Sequence, residues 1–581
     1  MPPCKEAFLS RLFEKYDRVN GMRIGLLGCA VSVLLESVVC AGALALGQGA
    51  ETAAARRESV QGGVDSAAAV RGDSPTQGEW GDRGDGSYAN PVLPADFSDL
   101  DVIRVGGTYY AISSTMQYSP GMTVLESKDL VNWRIDGGVV LELTAIDPEL
   151  NWNRMNRAGH GIWAGAIRWH EGRFWVYFTT PDQGVFMSTA KDAAGPWTPV
   201  HLVMAEPGWD DTCPFWDDDG QMYLVTSHTG PEGPNAVKYN IHLFKLTADG
   251  MAIVSGADKI IHQSRGSEAN KLYKWNGLYY HYYSEVRPEG RVVMMDRAKS
   301  LDGPWESRQL IHVHGAVDKE PNQGGIVQAE DGRWWFFTHQ GRGDWEGRAA
   351  VLLPVTWVDG WPLLGKVGAD GIGGMVWRGA MPVAGQAKSL VVTDDDFVSP
   401  TLRPEWQWNY QPRVGMWSLT ERPGFLRLRA FAPLKKGDLK TVGDVLTQRV
   451  YRSTHNEFTV KLDMSGMVDG QEAGLLHFAK TFASIGVVQN RGARTISVNN
   501  NGARTAGPEL KQVVVWLRST WGFDGASSFS YSLDGKMYLA IGEPYPLTWG
   551  SYRGDRIGLF TVNTKTAGWA DFDSVRYEVA R

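Results

Sequence analysis

The sequence predicts an all-β chain: a five-bladed β-propeller followed by a β-sandwich of lectin type. Three observations carry this expectation. A short phrase recurs five times: a turn glycine, one variable residue, then a mostly aromatic pair. The copies are Gly107-Thr-Tyr109-Tyr110, Gly172-Arg-Phe174-Trp175, Gly220-Gln-Met222-Tyr223, Gly277-Leu-Tyr279-Tyr280 and Gly332-Arg-Trp334-Trp335. Their glycines lie 65, 48, 57 and 55 residues apart, a spacing that suits one four-stranded blade per copy. Glycine between two β-rich runs marks a hairpin, because it takes positive φ without strain. Second, the phrase stops after Gly365, and residues 395–581 carry alternating runs such as Phe425-Leu-Arg-Leu-Arg429 and Phe529-Ser-Tyr531-Ser-Leu533. Strands of this length separated by turns suit two packed antiparallel sheets. Third, the repeat region shows no long amphipathic helical pattern.

Taken in order, residues 1–46 read as a targeting segment. Arg23 precedes an apolar run from Ile24 to Leu46, and Ala43-Leu44-Ala45 offers small residues for cleavage. Export is therefore expected, with a single membrane anchor as the alternative. Residues 47–86 are rich in Ala, Gly, Ser, Asp and Arg and read as a flexible tether. The propeller is expected over 87–385. A second phrase, in Ser127-Lys-Asp-Leu-Val-Asn-Trp133, Ala193-Ala-Gly-Pro-Trp197 and Leu301-Asp-Gly-Pro-Trp305, marks the outer hairpins of several blades. The sandwich is expected over 395–581.

Composition narrows the function. A net charge of −7 provides no basic footprint for nucleic acid. The 24 tryptophans and 20 tyrosines suit turn-rich β structure and the apolar faces of sugars. Of the four cysteines, Cys4, Cys29 and Cys40 precede the expected mature protein. Cys213 alone remains, so no internal disulfide and no cysteine-based metal site is expected.

The repeat register locates candidate chemistry. Nine residues before the turn glycines stand Trp163, Asp211, Glu268 and Gln323, and eight before the first stands Asp99. These positions should open the innermost strands and face a common channel. Carboxylates gathered in a channel repel one another and lose hydration, so function explains them better than packing. Cleaving an acetal needs one carboxylic acid to protonate the leaving oxygen and one carboxylate to activate water or attack. The layout assigns Asp99 as base, Glu268 as acid, and Asp211 as the neighbour whose charge keeps Glu268 protonated. Asp217, Asp218 and Asp219 read as solvated turn residues.

The chain resembles glycoside hydrolase family 43 from Asn90 to about Gly365. The likeness rests on Asn90-Pro-Val-Leu-Pro-Ala-Asp-Phe-Ser-Asp99, Gly161-Ile-Trp163-Ala-Gly, Asp211-Thr-Cys-Pro-Phe-Trp-Asp-Asp-Asp-Gly220 and Glu268-Ala-Asn-Lys-Leu-Tyr-Lys-Trp-Asn-Gly277. Leu100 and Asn270 replace prolines common in the family. The resemblance implies that Trp163 forms part of the sugar pocket, that Arg348 contacts the terminal sugar, and that catalysis inverts the anomeric centre. Gln323 could donate to a sugar hydroxyl. Many members have a channel histidine beside a calcium ion or water, whereas this segment reads Pro321-Asn-Gln323-Gly-Gly325. No cofactor is therefore expected to be required, and the absent histidine argues against calcium. The C-terminal block resembles the concanavalin A-like sandwich attached to β-xylosidases of this family, which implies exo action. The expected activity is release of terminal β-1,4-xylose, α-L-arabinofuranose, or both, from xylan-derived oligosaccharides. Two rivals stay open: an endo-acting arabinanase or galactan hydrolase, and a carbohydrate-binding protein without catalysis.

Overall fold

The computed structural model describes residues 78–229, 238–312, 321–340 and 343–580. The expected targeting segment and most of the expected tether lie outside the described residues. Five four-stranded antiparallel sheets follow one another along the first part of the chain. Their first strands are Asp101–Val105, Gly165–His170, Trp209–Trp216, Glu268–Trp275 and Pro321–Gln328. The phrase glycines fall in the hairpins joining first and second strands, and four of them have positive φ, between 73° and 86°. The first hairpin differs: Gly106 takes the positive φ and Gly107 does not. The Ser127–Trp133, Ala193–Trp197 and Leu301–Trp305 phrases join third to fourth strands. First strands adjoin in chain order, and that of the fifth sheet adjoins that of the first.

Three first strands carry the same irregularity. Asp211 and Thr212 lie between the pairs Asp210↔Ser227 and Cys213↔Val225, so two residues face one. Ala269 and Asn270 do the same between Glu268↔Ser284 and Lys271↔Tyr282, as do Asn322 and Gln323 between Pro321↔Gln340 and Gly324↔Thr338. Such bulges bend a strand and re-aim its side chains. Asp211 and Ala269 take φ of 50° and 69°, and Asp99, just ahead of its strand, takes 57°. Non-glycine residues persist there only where their surroundings hold them.

The last third of the described chain forms a sandwich of an eight-stranded and a seven-stranded sheet. Leu446, Leu475 and Ile485 of one and Val460, Leu517 and Phe572 of the other share one buried cluster. That cluster continues into Val102, Trp133, Phe337 and Leu352 of the first and fifth sheets. In addition, Tyr118–Ser119, from between strands of the first sheet, extends the eight-stranded sheet by pairing with Trp408 and Asn409. The two regions therefore share core and sheet. The expected tether also ends earlier than its composition suggests. Gly81–Asp82 pairs with Ser87–Ala89, which pairs with Arg378–Ala380. The anchor is Trp80, 3% exposed, whose ring lies 5.2 Å from that of Tyr451.

Candidate active site

Asp99 is buried, and the structure surrounds it with donors. Arg348 Nη1 pairs with its Oδ1 at 2.8 Å, and Ser114 Oγ donates to its Oδ2 at 2.5 Å. Its backbone N–H donates to His339 Nδ1 at 2.6 Å. Burial pushes the carboxyl up, but the charge of Arg348, with contributions from His339, Ser114 and Arg553, outweighs this and holds it below the usual range. Asp99 is thus kept as a carboxylate. Arg348, which the resemblance sets against the terminal sugar, is here the partly buried ion-pair partner of Asp99. Asp99 precedes the first strand rather than opening it.

Asp210, Asp211 and Glu268 form the second group, with carboxylate oxygens within 4.8 Å of one another. Burial first, then the negative charges of Glu268 and Asp99, push the Asp211 carboxyl up to about 7. Asp210 is pushed well above its ordinary value by burial and by Asp211, Glu268 and Asp99. The Ala269 N–H donates to Asp211 Oδ2, so Asp211 holds the peptide that follows Glu268. Arg291 Nη1 lies 3.1 Å from Glu268 Oε1. Asn270, at the position where the family has proline, donates to Asp211 O at 3.0 Å and to Ser227 Oγ at 2.8 Å, and accepts from His281. These links lock the bulge that carries the acids.

The count of nine residues does not give strictly equivalent positions. The third sheet's hairpin spends 217–221 on its turn, whereas the fourth spends only Asn276 and Gly277. In the ladder, Asp210 is the mate of Glu268, each making the last pair before its bulge. Asp217 is also not simply solvated: it accepts from Lys274 Nζ at 2.6 Å and from the Tyr279 hydroxyl at 2.7 Å.

Trp163 precedes its first strand, with its indole N–H donating to Gly159 O at 2.8 Å. Its ring stands edge-on to Tyr552, centroids 6.3 Å apart. Tyr552 and Trp549 belong to a sandwich loop, and the Arg348 guanidinium lies 6.0 Å from each ring centroid. Gly159 makes this approach possible, because a Cβ there would meet Ser551 O at 3.1 Å on a backbone already at φ 78°. Gln323 lies buried in the fifth sheet's bulge, its side-chain nitrogen without a protein partner among the described residues.

Pro321–Gly325 has no histidine, but the neighbouring strand brings one beside it. His339 faces the Asn322–Gln323 bulge and is fully buried. Burial and the charge of Arg348 push its imidazole down to about 3, so it stays neutral. Counting along the second strand of each hairpin, not only the first, would have found it. Calcium prefers several oxygen ligands. His339 offers a nitrogen, and the buried Lys271 adds a fixed positive charge that reaches it. These residues do not fit a calcium ion, and no step is derived through one. The carboxylates of Asp210, Asp211 and Glu268 offer the oxygen ligands that suit a hard cation.

The arrangement is one carboxylate held by arginine and a separate cluster of three acids, in which Asp210 and Asp211 resist ionisation. A model of glycosyl hydrolases family 43 matches residues 88–362, and one of the β-xylosidase C-terminal concanavalin A-like domain matches 394–578. The chain belongs to glycosyl hydrolase family 43 and is a glycosidase. It is 35% identical over 547 residues to a β-xylosidase of Formosa agariphila, covering 86% of this chain and 92% of that one. Its fold is similar to that of a bifunctional GH43-CE protein of Bacteroides eggerthii, with TM-score 0.75 and 29% identity. That match covers 87% of this chain, which spans 64% of the other. A variant of the GH43 protein BlXynB from Bacillus licheniformis is similar over its whole length, with TM-score 0.73, 26% identity and 85% of this chain covered.

Proposed function

We propose that the five sheets close into a five-bladed β-propeller, and that an exo-acting inverting glycosidase site lies where their first strands meet. The cyclic adjacency of those strands supports closure. The substrate is the non-reducing end of a xylan-derived oligosaccharide, from which terminal β-1,4-xylose, α-L-arabinofuranose, or both, are released. The similarity to a β-xylosidase over most of both chains supports this class.

The observation that carries the mechanism is the contrast between two carboxylate environments: Asp99 lies against Arg348, whereas Glu268 lies against the carboxyls of Asp210 and Asp211. Asp99, ionised beside Arg348, takes a proton from water as the water oxygen bonds to the anomeric carbon. Glu268, beside Asp210 and Asp211, gives a proton to the glycosidic oxygen as the C–O bond breaks. Solvent then restores both. Environments that push two sets of carboxyl groups apart assign acid and base in this way. Trp163 and Tyr552 offer aromatic walls to the apolar face of a sugar. The sandwich loop carrying Trp549 and Tyr552 narrows one side of the site, which favours a chain end over an internal segment. The N-terminal pattern supports export of the protein.

Digestion of xylotetraose and of linear arabinan, with products followed over time, tests this reading. Xylose should accumulate from the first minutes with xylotriose as co-product, and linear arabinan should not be cut internally. Xylobiose as the dominant first product, or rapid shortening of arabinan, would favour the endo-acting rival.

A further inference from the structure

The sandwich loop also carries a charge that the chemistry above leaves unused. Its tip, Gly550 to Arg553, closes on itself through two backbone hydrogen bonds of 3.0 Å. Ser551 and Tyr552 both take positive φ, 52° and 61°. Two consecutive non-glycine residues in that region persist where the surroundings enforce them. The result is that Tyr552 reaches toward Trp163 while Arg553 is 1% exposed.

Arg553 Nη1 donates to Ser114 O at 2.9 Å, and Nε lies 2.7 Å from Asp96 Oδ2. Ser114 is the residue whose hydroxyl donates to Asp99. Asp96 is shared: Arg556 Nη2 lies 3.4 Å from the same oxygen, and Arg449 Nε donates to the Asp96 carbonyl at 2.9 Å. Two buried guanidinium groups therefore share one carboxylate, with a third on the carbonyl of the same residue.

We propose that Arg553, carried by the sandwich, is a positioning residue for Asp99, acting through Ser114, so that the C-terminal sandwich is part of the catalytic unit. This rests on Asp99 being the base. The groups bearing on Asp99 are Arg348, His339, Ser114 and Arg553, and Asp99 in turn raises Asp210 and Asp211. Those facing Arg553 are Asp96, Arg556 and Tyr118. Within this set Arg553 and Arg348 are the cations that favour the carboxylate form, and Arg553 alone comes from the sandwich. The role differs from that of a lid: a lid would change substrate affinity, whereas this contact changes the pH at which the base works.

The test is the pH dependence of kcat/KM on a nitrophenyl β-xyloside, using the full chain. Losing a nearby positive charge makes a carboxylate easier to protonate, so the acidic limb should move to higher pH. Arg553→Met should raise it by about half a unit or more, and Arg553→Lys should restore most of the shift. Arg449→Met, in the same cluster but without a bond to Ser114, should lower the melting temperature and leave the limb in place. If Arg553→Met does not fold, Arg553→Gln carries the test, because it keeps an amide donor for the Ser114 carbonyl while removing the charge, and should move the limb the same way. A folded Arg553→Met or Arg553→Gln enzyme with the wild-type limb overturns the proposal. Asp99→Ala separates the two readings. If that variant is inactive while the limb stays put, only the role of Arg553 falls; if it is active, the assignment of the base falls.

Discussion

Glu268→Ala should reduce turnover of xylobiose by roughly 10²–10⁴-fold, the range of a lost general acid. A nitrophenyl xyloside should suffer much less, because its leaving group departs without protonation. Asp99→Ala should lose activity on both substrates alike, since water must be activated whatever leaves. The asymmetry matters more than either loss. Glu268 lies at the last pair before its bulge, where a side chain can point toward the common centre, and it neighbours two acids that resist ionisation. Asp99 lies apart from that cluster, fixed by Arg348 and Ser114. Far-ultraviolet circular dichroism checks that both variants fold. Equal losses on both substrates for Glu268→Ala would remove Glu268 from the acid role.

Asp211→Asn should change the pH response of both activity and stability. Asparagine keeps an oxygen to accept from the Ala269 N–H, so the substitution isolates the charge. With one carboxyl fewer to repel ionisation, the cluster should release its catalytic proton more readily, and the alkaline limb of activity should fall by about one unit. Stability follows from the raised value near 7, set by burial and then by Glu268 and Asp99. A carboxyl held above its unfolded value contributes stability that is fully present below about 3.8 and is lost as pH rises through about 7. The wild-type melting temperature should therefore drop between pH 5 and pH 8 by more than that of Asp211→Asn. An alkaline limb that stays in place while activity falls would make Asp211 a positioning residue for the Glu268–Ala269 peptide. A shift produced by Asp210→Asn alone would transfer the electrostatic role to the ladder mate of Glu268.

What the sequence disclosed and what it hid follow from chain separation and backbone shape. Gly172, Gly220, Gly277 and Gly332 were legible because a tight turn at positive φ favours glycine, and the aromatic pairs after them marked the strands. Asp99, Asp211 and Glu268 were legible through that register. The bulges were not, since Asp211 and Ala269 adopt left-handed backbone without being glycine. Hence the count took Asp211 as the equivalent of Glu268, where Asp210 holds the corresponding place, the last pair before the bulge in its own sheet. Trp80 was read as part of a tether because one aromatic in a polar stretch carries little weight. His339 was not legible because it sits on a second strand, and the bond of Ser114 to Asp99 was not because it spans 15 positions. Arg553 bonds to Ser114 across 439 positions, and no local pattern announces such a contact.

Proton NMR of the first sugar released, recorded before mutarotation, separates one displacement from two. Asp99 and Glu268 belong to non-adjacent sheets, and an inverting pair is held roughly 6.5–9.5 Å apart, against about 5–5.5 Å for a retaining pair. A β-xyloside should yield α-xylose first, with no transfer product when methanol is added. Initial β-xylose would contradict the account: Asp99 would then be a nucleophile, or another residue would stand in its place.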